Sequence, residues 1–248
     1  MAAKFDPSAK ATFEKVRRAE ESYARGLRAI ARHIGHITSG FKPGDPEGVS
    51  VLTRLLQRYA AIIAPWARNH AARMLTDVAR RDYNVWKRLS RQMSRTLRKE
   101  IETAPTGAAM HGLLNQQVTL ITSLPIEAAQ RVHKLTIEGM LDSTRASEIA
   151  KEIGRTGEVT ASRANLIART EVARTASVLV QVRAEYAGSD GYIWRSARDL
   201  RVRKEHRELE GKFVKWREPP VAGPNGERYH AGAGPNCRCF PEPVLVDD

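Results

Sequence analysis

From Ser8 to about Ile34, Phe13, Val16, Tyr23, Leu27 and Ile30 recur near helical spacing among Lys, Arg and Glu, the signature of an amphipathic helix. Two prolines and two glycines in the stretch Phe41–Gly48 mark a loop, with a helix start near Ser50. The next helix runs from about Val51 toward Asn69 and is expected to kink or restart at Pro65, whose ring removes an intrahelical donor. Between Ala72 and Ile101 one long helix is predicted: Trp86, Leu89, Met93, Leu97 and Ile101 share one side, and Arg81, Arg88, Arg91, Arg95 and Arg98 the other. Beyond the Thr103–Gly107 break, residues 108–123 and 126–141 read as two helices separated by Ser123-Leu124-Pro125.

A short helix at about 144–153 is expected to stop at Gly154, and a helix of about 161–187 to stop at Gly188. The period then changes. Tyr192-Ile193-Trp194-Arg195 and Lys212-Phe213-Val214-Lys215-Trp216 are short, β-prone and bounded by turn residues. The pattern predicts a mainly α N-terminal body with a small α+β C-terminal module, divided at residues 1–141 and 142–248. No repeat of 20–50 residues recurs, which excludes solenoids and propellers.

Composition sharpens this picture in two places. Aromatic residues make up only 6% of the 248, so most of the core must come from Leu, Ile, Val and Ala, which favours helices. The net charge of +13 is localised: residues 51–100 carry 12 basic and 3 acidic side chains, and Asp and Glu are almost absent from 83–99. Few intrahelical ion pairs can account for those arginines, so the stripe Arg81, Arg88, Arg91, Arg95 and Arg98 is a candidate surface for nucleic acid or an acidic partner. The alternative is a solvated helix face. No run is long and apolar enough for a bilayer and the N-terminus has no apolar targeting core, so no membrane association and a cytosol-like compartment are expected.

Candidate chemistry gathers near the C-terminus. His206, His230, Cys237 and Cys239 make up a ligand inventory for tetrahedral zinc, although Cys-x-Cys and the long gap between the histidines match no standard finger. The alternative is that the histidines brace loops and the thiols simply pack. Asp199, Arg201 and Arg203 alternate and, on an extended segment, would face one way, as an acid/base or phosphate-gripping cluster or as ion pairs fixing a loop. No nucleophile with a partnered base, phosphate loop or His-Glu-x-x-His pattern occurs. A metal-dependent nuclease would rest on the ligand inventory alone, and the expectation is a protein that is not an enzyme.

The run Arg163-Ala164-Asn165-Leu166-Ile167-Ala168-Arg169-Thr170-Glu171, followed by Trp194, Asp199, Arg201, Arg203, His206 and Gly211 and closed by Pro235-Asn236-Cys237-Arg238-Cys239, resembles the Mu protein F-like minor head proteins of tailed phages. The resemblance covers roughly residues 140–245. It implies a structural role in head morphogenesis, with the portal protein and the major capsid or scaffold protein as partners, and a place in the head or portal region of the virion after assembly in the host cytoplasm. DNA is a candidate partner through the arginine stripe, and sequence-independent DNA binding is the alternative function. The resemblance also implies that Trp194, Asp199, Arg201, Arg203, His206 and Gly211 fix the module rather than catalyse, with no certain cofactor beyond a candidate zinc.

Overall fold

The computed structural model describes residues 8–42, 45–89, 91, 95–142 and 144–245, with the side chains of 8–16, 46, 89, 97, 98 and 101 outside the description. Among the described residues the chain forms eight helices: α1 (Ser8–Ser39), α2 (Pro46–Ile62), α3 (Ala64–Leu89), α4 (Arg95–Thr103), α5 (Thr106–Leu141), α6 (Ala146–Gly154), α7 (Thr156–Tyr186) and α8 (Lys204–Leu209). Three short strands, β1 (Gly191–Arg195), β2 (Phe213–Lys215) and β3 (Phe240–Pro243), form an antiparallel sheet in the order β2-β1-β3. The expected helical body and small C-terminal α+β module are both present. No described helix is long and apolar enough to cross a membrane.

Some element boundaries differ from expectation. Helix α2 begins at Pro46 rather than near Ser50, because Asp45 caps it: its carboxylate accepts the Gly48 N–H at 2.9 Å, and proline is tolerated in a first turn whose N–H groups lack intrahelical acceptors anyway. At Pro65 the chain restarts, one of the two outcomes expected there: α2 ends at Ile62, α3 begins at Ala64, and the proline sits in the first turn of α3 for the same reason. Helix α5 runs unbroken through Pro125, where two helices were expected. Ile121, Leu124, Ala128, Ala129 and Val132 are all buried around that position, and their packing offsets the one lost hydrogen bond. Conversely, the single helix expected over 72–101 is two, ending at Leu89 and restarting at Arg95. Residue 93 and the side chains of 89, 97 and 101, which the apolar face expected there includes, lie outside the described residues.

The chain divides into two compact units, one of residues 21–72 and 114–168 and the other of 1–20, 73–113 and 169–248. The first is all helix. On α1, Tyr23, Leu27, Ile30 and Ile34 step by four and three and are buried with Leu52 and Leu56 of α2 and Ile121 and Leu124 of α5. Tyr23 donates its hydroxyl to Gln117 at 2.8 Å, and its ring stacks on His70, which also stacks on Trp66. Gly157 opens α7 against Gly35: a Cβ there would lie 2.7 Å from the Gly35 Cα, so glycine permits two helix backbones to touch.

The second unit holds the sheet. Its core joins Trp86 of α3 and Ala184 of α7 to Tyr192 and Trp194 of β1, Val214, Trp216, Ala222, Ala231, Cys237, Cys239 and Leu245. Three of the chain's four tryptophans meet here. Residues of α3 and α7 thus share one core with the strands. A buried ion pair reinforces the junction, with Arg183 Nε of α7 donating to Asp82 Oδ2 of α3 at 2.7 Å.

Candidate functional site

The residues singled out at the C-terminal end converge on the segment Pro235–Cys239. Asn236 adopts a left-handed conformation (φ 53°), which asparagine tolerates better than most side chains. Helix α7 holds that turn from outside: the Asn236 N–H donates to Thr170 Oγ1 at 3.1 Å, and Arg169 Nη1 donates to Asn236 Oδ1 at 3.4 Å. The Arg169-Thr170 pair of the sequence motif is therefore a buckle. After the turn the side chains alternate, so Cys237 and Cys239 point into the core, each 2% exposed, while Arg238 points outward. Arg238 forms a two-pronged ion pair with Asp199, and this guanidinium holds the Asp199 carboxyl below the usual carboxylate range.

Residues 196–203 do not form the extended segment on which Asp199, Arg201 and Arg203 would share a face. Strand β1 ends at Arg195 and the chain turns, with Arg198 at φ 51°. Asp199 accepts the Arg201 N–H at 3.0 Å, so Arg201 contributes its backbone to the turn. Arg203 reaches the other way, donating to the Pro235 carbonyl at 2.7 Å and to the Tyr229 hydroxyl at 3.4 Å. Gly211 has φ 77°, available to glycine at little cost, and donates its N–H to the Trp194 carbonyl at 2.9 Å.

Helix α8 delivers His206 to the two thiols. Its Nδ1 lies 3.4 Å from Cys239 Sγ and 3.7 Å from Cys237 Sγ, and the three potential ligand atoms lie within 4.8 Å of one another. The far nitrogen, Nε2, is 3.0 Å from the Ala222 carbonyl, an acceptor only, so Nε2 carries the proton and the Nδ1 lone pair faces the sulfurs. Trp194 packs edge-on against the imidazole with ring centroids 5.4 Å apart. A hydrogen bond from Cys239 and the adjacent imidazole draw the Cys237 thiol down to about 4, and the same hydrogen bond together with burial pushes the Cys239 thiol up. The cluster thus favours a charged sulfur inside an apolar core.

His230 does not join this group. Its Nδ1 lies within hydrogen-bond distance of the Tyr192 hydroxyl at 3.2 Å, its ring lies edge-on to Tyr192 and Trp216, and burial lowers its pKa. The four-residue ligand set read from the sequence therefore reduces to three among the described residues. Sequence reasoning also missed the Tyr229 hydroxyl, which donates to the Ala222 carbonyl at 2.7 Å beside His206, and Glu210, which receives the Ser196 N–H and the Arg198 guanidinium. No spacing signal marked either one.

The arginine stripe is distributed over two helices and the interval between them. Arg81 is engaged with Asp77 on its own helix at 2.8 Å, so an ion pair does account for that arginine. Arg88, Arg91 and Arg95 are exposed, and the Arg98 side chain lies outside the described residues. A surface cavity of about 360 Å³ is lined by Arg81, Asn84, Val85, Lys87, Arg88 and Arg91, a predominantly cationic wall.

Comparison with known proteins places this geometry in context. The family model for phage Mu protein F like protein matches residues 130–241. An uncharacterized protein of Haemophilus influenzae is 29% identical over 136 residues, which cover 55% of this chain and 29% of that relative. An NAD(+)–arginine ADP-ribosyltransferase EFV of Enterococcus faecalis is 34% identical over 127 residues, covering 46% of this chain and 25% of that enzyme. The chain thus matches less than a third of either relative's length. No solved structure matches.

Proposed function

We propose, from the premise that residues 130–241 are a phage Mu protein F-like segment, that this chain is a minor head protein of a tailed phage, assembled with the portal and taken into the procapsid interior. The family match carries this conclusion. The C-terminal unit supports it chemically, because Asp199, Arg203, Arg238 and Tyr229 spend their polar atoms on one another and on backbone, as groups that fix a shape do. The role is structural rather than enzymatic. ADP-ribosyl transfer is not carried over, since the matched portion is 25% of that enzyme's length.

The exposed Arg88, Arg91 and Arg95 beside the cationic cavity favour a second task for the same protein, contact with the phosphates of packaged DNA or with an acidic portal surface. Recovery from phage lysate at low and high salt separates the two. Portal and capsid protein are expected at both salts, and DNA only at low salt, with log affinity falling by about 0.9 per neutralised phosphate per log unit of salt. The triple change Arg88→Glu, Arg91→Glu, Arg95→Glu is expected to abolish DNA retention and leave portal recovery intact. Recovery of DNA without any virion protein would overturn the head-protein assignment and favour a DNA-binding protein, and DNA affinity unchanged in the triple variant would remove the stripe from the account.

A further inference from the structure

We propose that His206 Nδ1, Cys237 Sγ and Cys239 Sγ bind one zinc ion that locks the C-terminal unit. This inference stands on the side-chain geometry and holds whether or not the chain is a head protein.

Zinc–sulfur bonds of about 2.3 Å and zinc–nitrogen bonds of about 2.0–2.1 Å at tetrahedral angles place sulfur and nitrogen about 3.6 Å apart. The two nitrogen–sulfur separations here, 3.4 and 3.7 Å, bracket that value. Hydrogen bonding alone accounts for the cluster less well. Nδ1 has one lone pair and can accept from one thiol, yet both sulfurs close on it. A metal uses the nitrogen and both sulfurs together.

The surroundings are those of a ligating imidazole and thiolates. A metal-bound histidine ordinarily donates its other ring N–H to a carbonyl or carboxylate, and His206 Nε2 has the Ala222 carbonyl at 3.0 Å. The Cys239 N–H donates to Cys237 Sγ at 3.4 Å, and the fully buried Trp194 Nε1 has no hydrogen-bond partner among the described residues. Charge balances as well: each thiol releases its proton to solvent on binding, and two thiolates neutralise the ion's two positive charges, so the filled site enters the core without net charge. Thiolate and imidazole together select a borderline-soft ion over magnesium or calcium.

Three protein ligands leave a fourth position for water. In catalytic zinc sites that position is reached by substrate, but here the ligands are 2–3% exposed and no described carboxylate joins the group to serve as a base. The ion's task is therefore to tie α8 to the Cys-Arg-Cys segment, two pieces of chain about thirty residues apart that no disulfide joins.

The test uses the full chain purified under reducing conditions without chelator. Elemental analysis is expected to find about one zinc per chain. Cobalt exchanged into the site is expected to give the intense near-ultraviolet sulfur-to-cobalt charge-transfer band that needs thiolate ligands, with X-ray absorption showing two sulfurs and one imidazole nitrogen. Zinc is expected to fall at least tenfold in Cys239→Ser and in His206→Ala, and to persist in His230→Ala. Should the ligand variants fail to fold, the cobalt spectrum of the unaltered chain decides alone. Folded, reduced protein with neither stoichiometric zinc nor a thiolate–cobalt band would overturn the proposal, as would zinc retained in a folded Cys237→Ser, Cys239→Ser double variant.

Discussion

Replacing Asp82 by Ala is expected to destabilise the chain by about 3–5 kcal/mol at neutral pH, read as a lower midpoint in urea unfolding followed by far-ultraviolet circular dichroism. The cause is the charge left behind. Arg183 is buried in the α3–α7 junction with its Nε 2.7 Å from Asp82 Oδ2, and a guanidinium cannot shed its proton to escape the core. Removing both partners, as Asp82→Leu with Arg183→Leu, is expected to recover most of that loss, because a hydrophobic replacement leaves no charge to desolvate.

Asp82→Asn is expected to be far milder, since its side-chain oxygen still accepts from Arg183. The pH dependence follows from the same burial, which lifts the Asp82 carboxyl to about 6 against the pull of Arg183. A raised carboxyl binds its proton more tightly folded than unfolded, so its stabilising contribution is fully present below the unfolded pKa near 4 and is lost as pH rises through about 6. The stability difference between the unaltered chain and the Asn variant should therefore shift against the unaltered chain across that window. A pH-independent difference would contradict the burial argument.

Trp194→Ala is expected to cost about 3–5 kcal/mol and to abolish the near-ultraviolet circular dichroism of the C-terminal unit. Trp194 is fully buried at the centre of the sheet's inner face, exchanges backbone hydrogen bonds with Gly211 and Lys212, and walls the thiol cluster through its contact with His206. Trp194→Phe keeps most of that packing and removes the buried Nε1–H, so a loss of about 1 kcal/mol is expected. A loss below about 1 kcal/mol for the alanine variant would mean that the core does not depend on this residue.

What the sequence made legible is what local pattern can carry. The apolar spacing of Tyr23, Leu27 and Ile30 marks α1, and the switch to alternating β-prone residues after Gly191 marks the start of the sheet. Strand β3 went unread because Phe240-Pro241-Glu242-Pro243 holds two prolines; it pairs only as an edge strand against β1. The continuity of α5 through Pro125 was hidden because burial of Ile121 and Leu124, a tertiary effect, outweighs the local penalty.

At the candidate site, residue types gave the inventory and the fold chose among them. Cys-x-Cys looks like poor ligand spacing in one dimension, but backbone alternation sends both thiols inward and Arg238 outward to Asp199. His206 and His230 are equivalent as letters. Only the partners of their ring nitrogens, the Ala222 carbonyl for one and the Tyr192 hydroxyl for the other, separate a lone pair aimed at sulfur from a ring nitrogen already engaged. The pairing of Asp82 with Arg183 across about a hundred residues had no local trace at all.

The most direct test of the central claim is quantitative mass spectrometry of gradient-purified procapsids and mature heads from cells making the particle that encodes this chain. The account predicts the chain in procapsids at low copy relative to the major capsid protein, together with portal. Its absence from both procapsids and mature heads, while the protein is present in the same lysate, would contradict it.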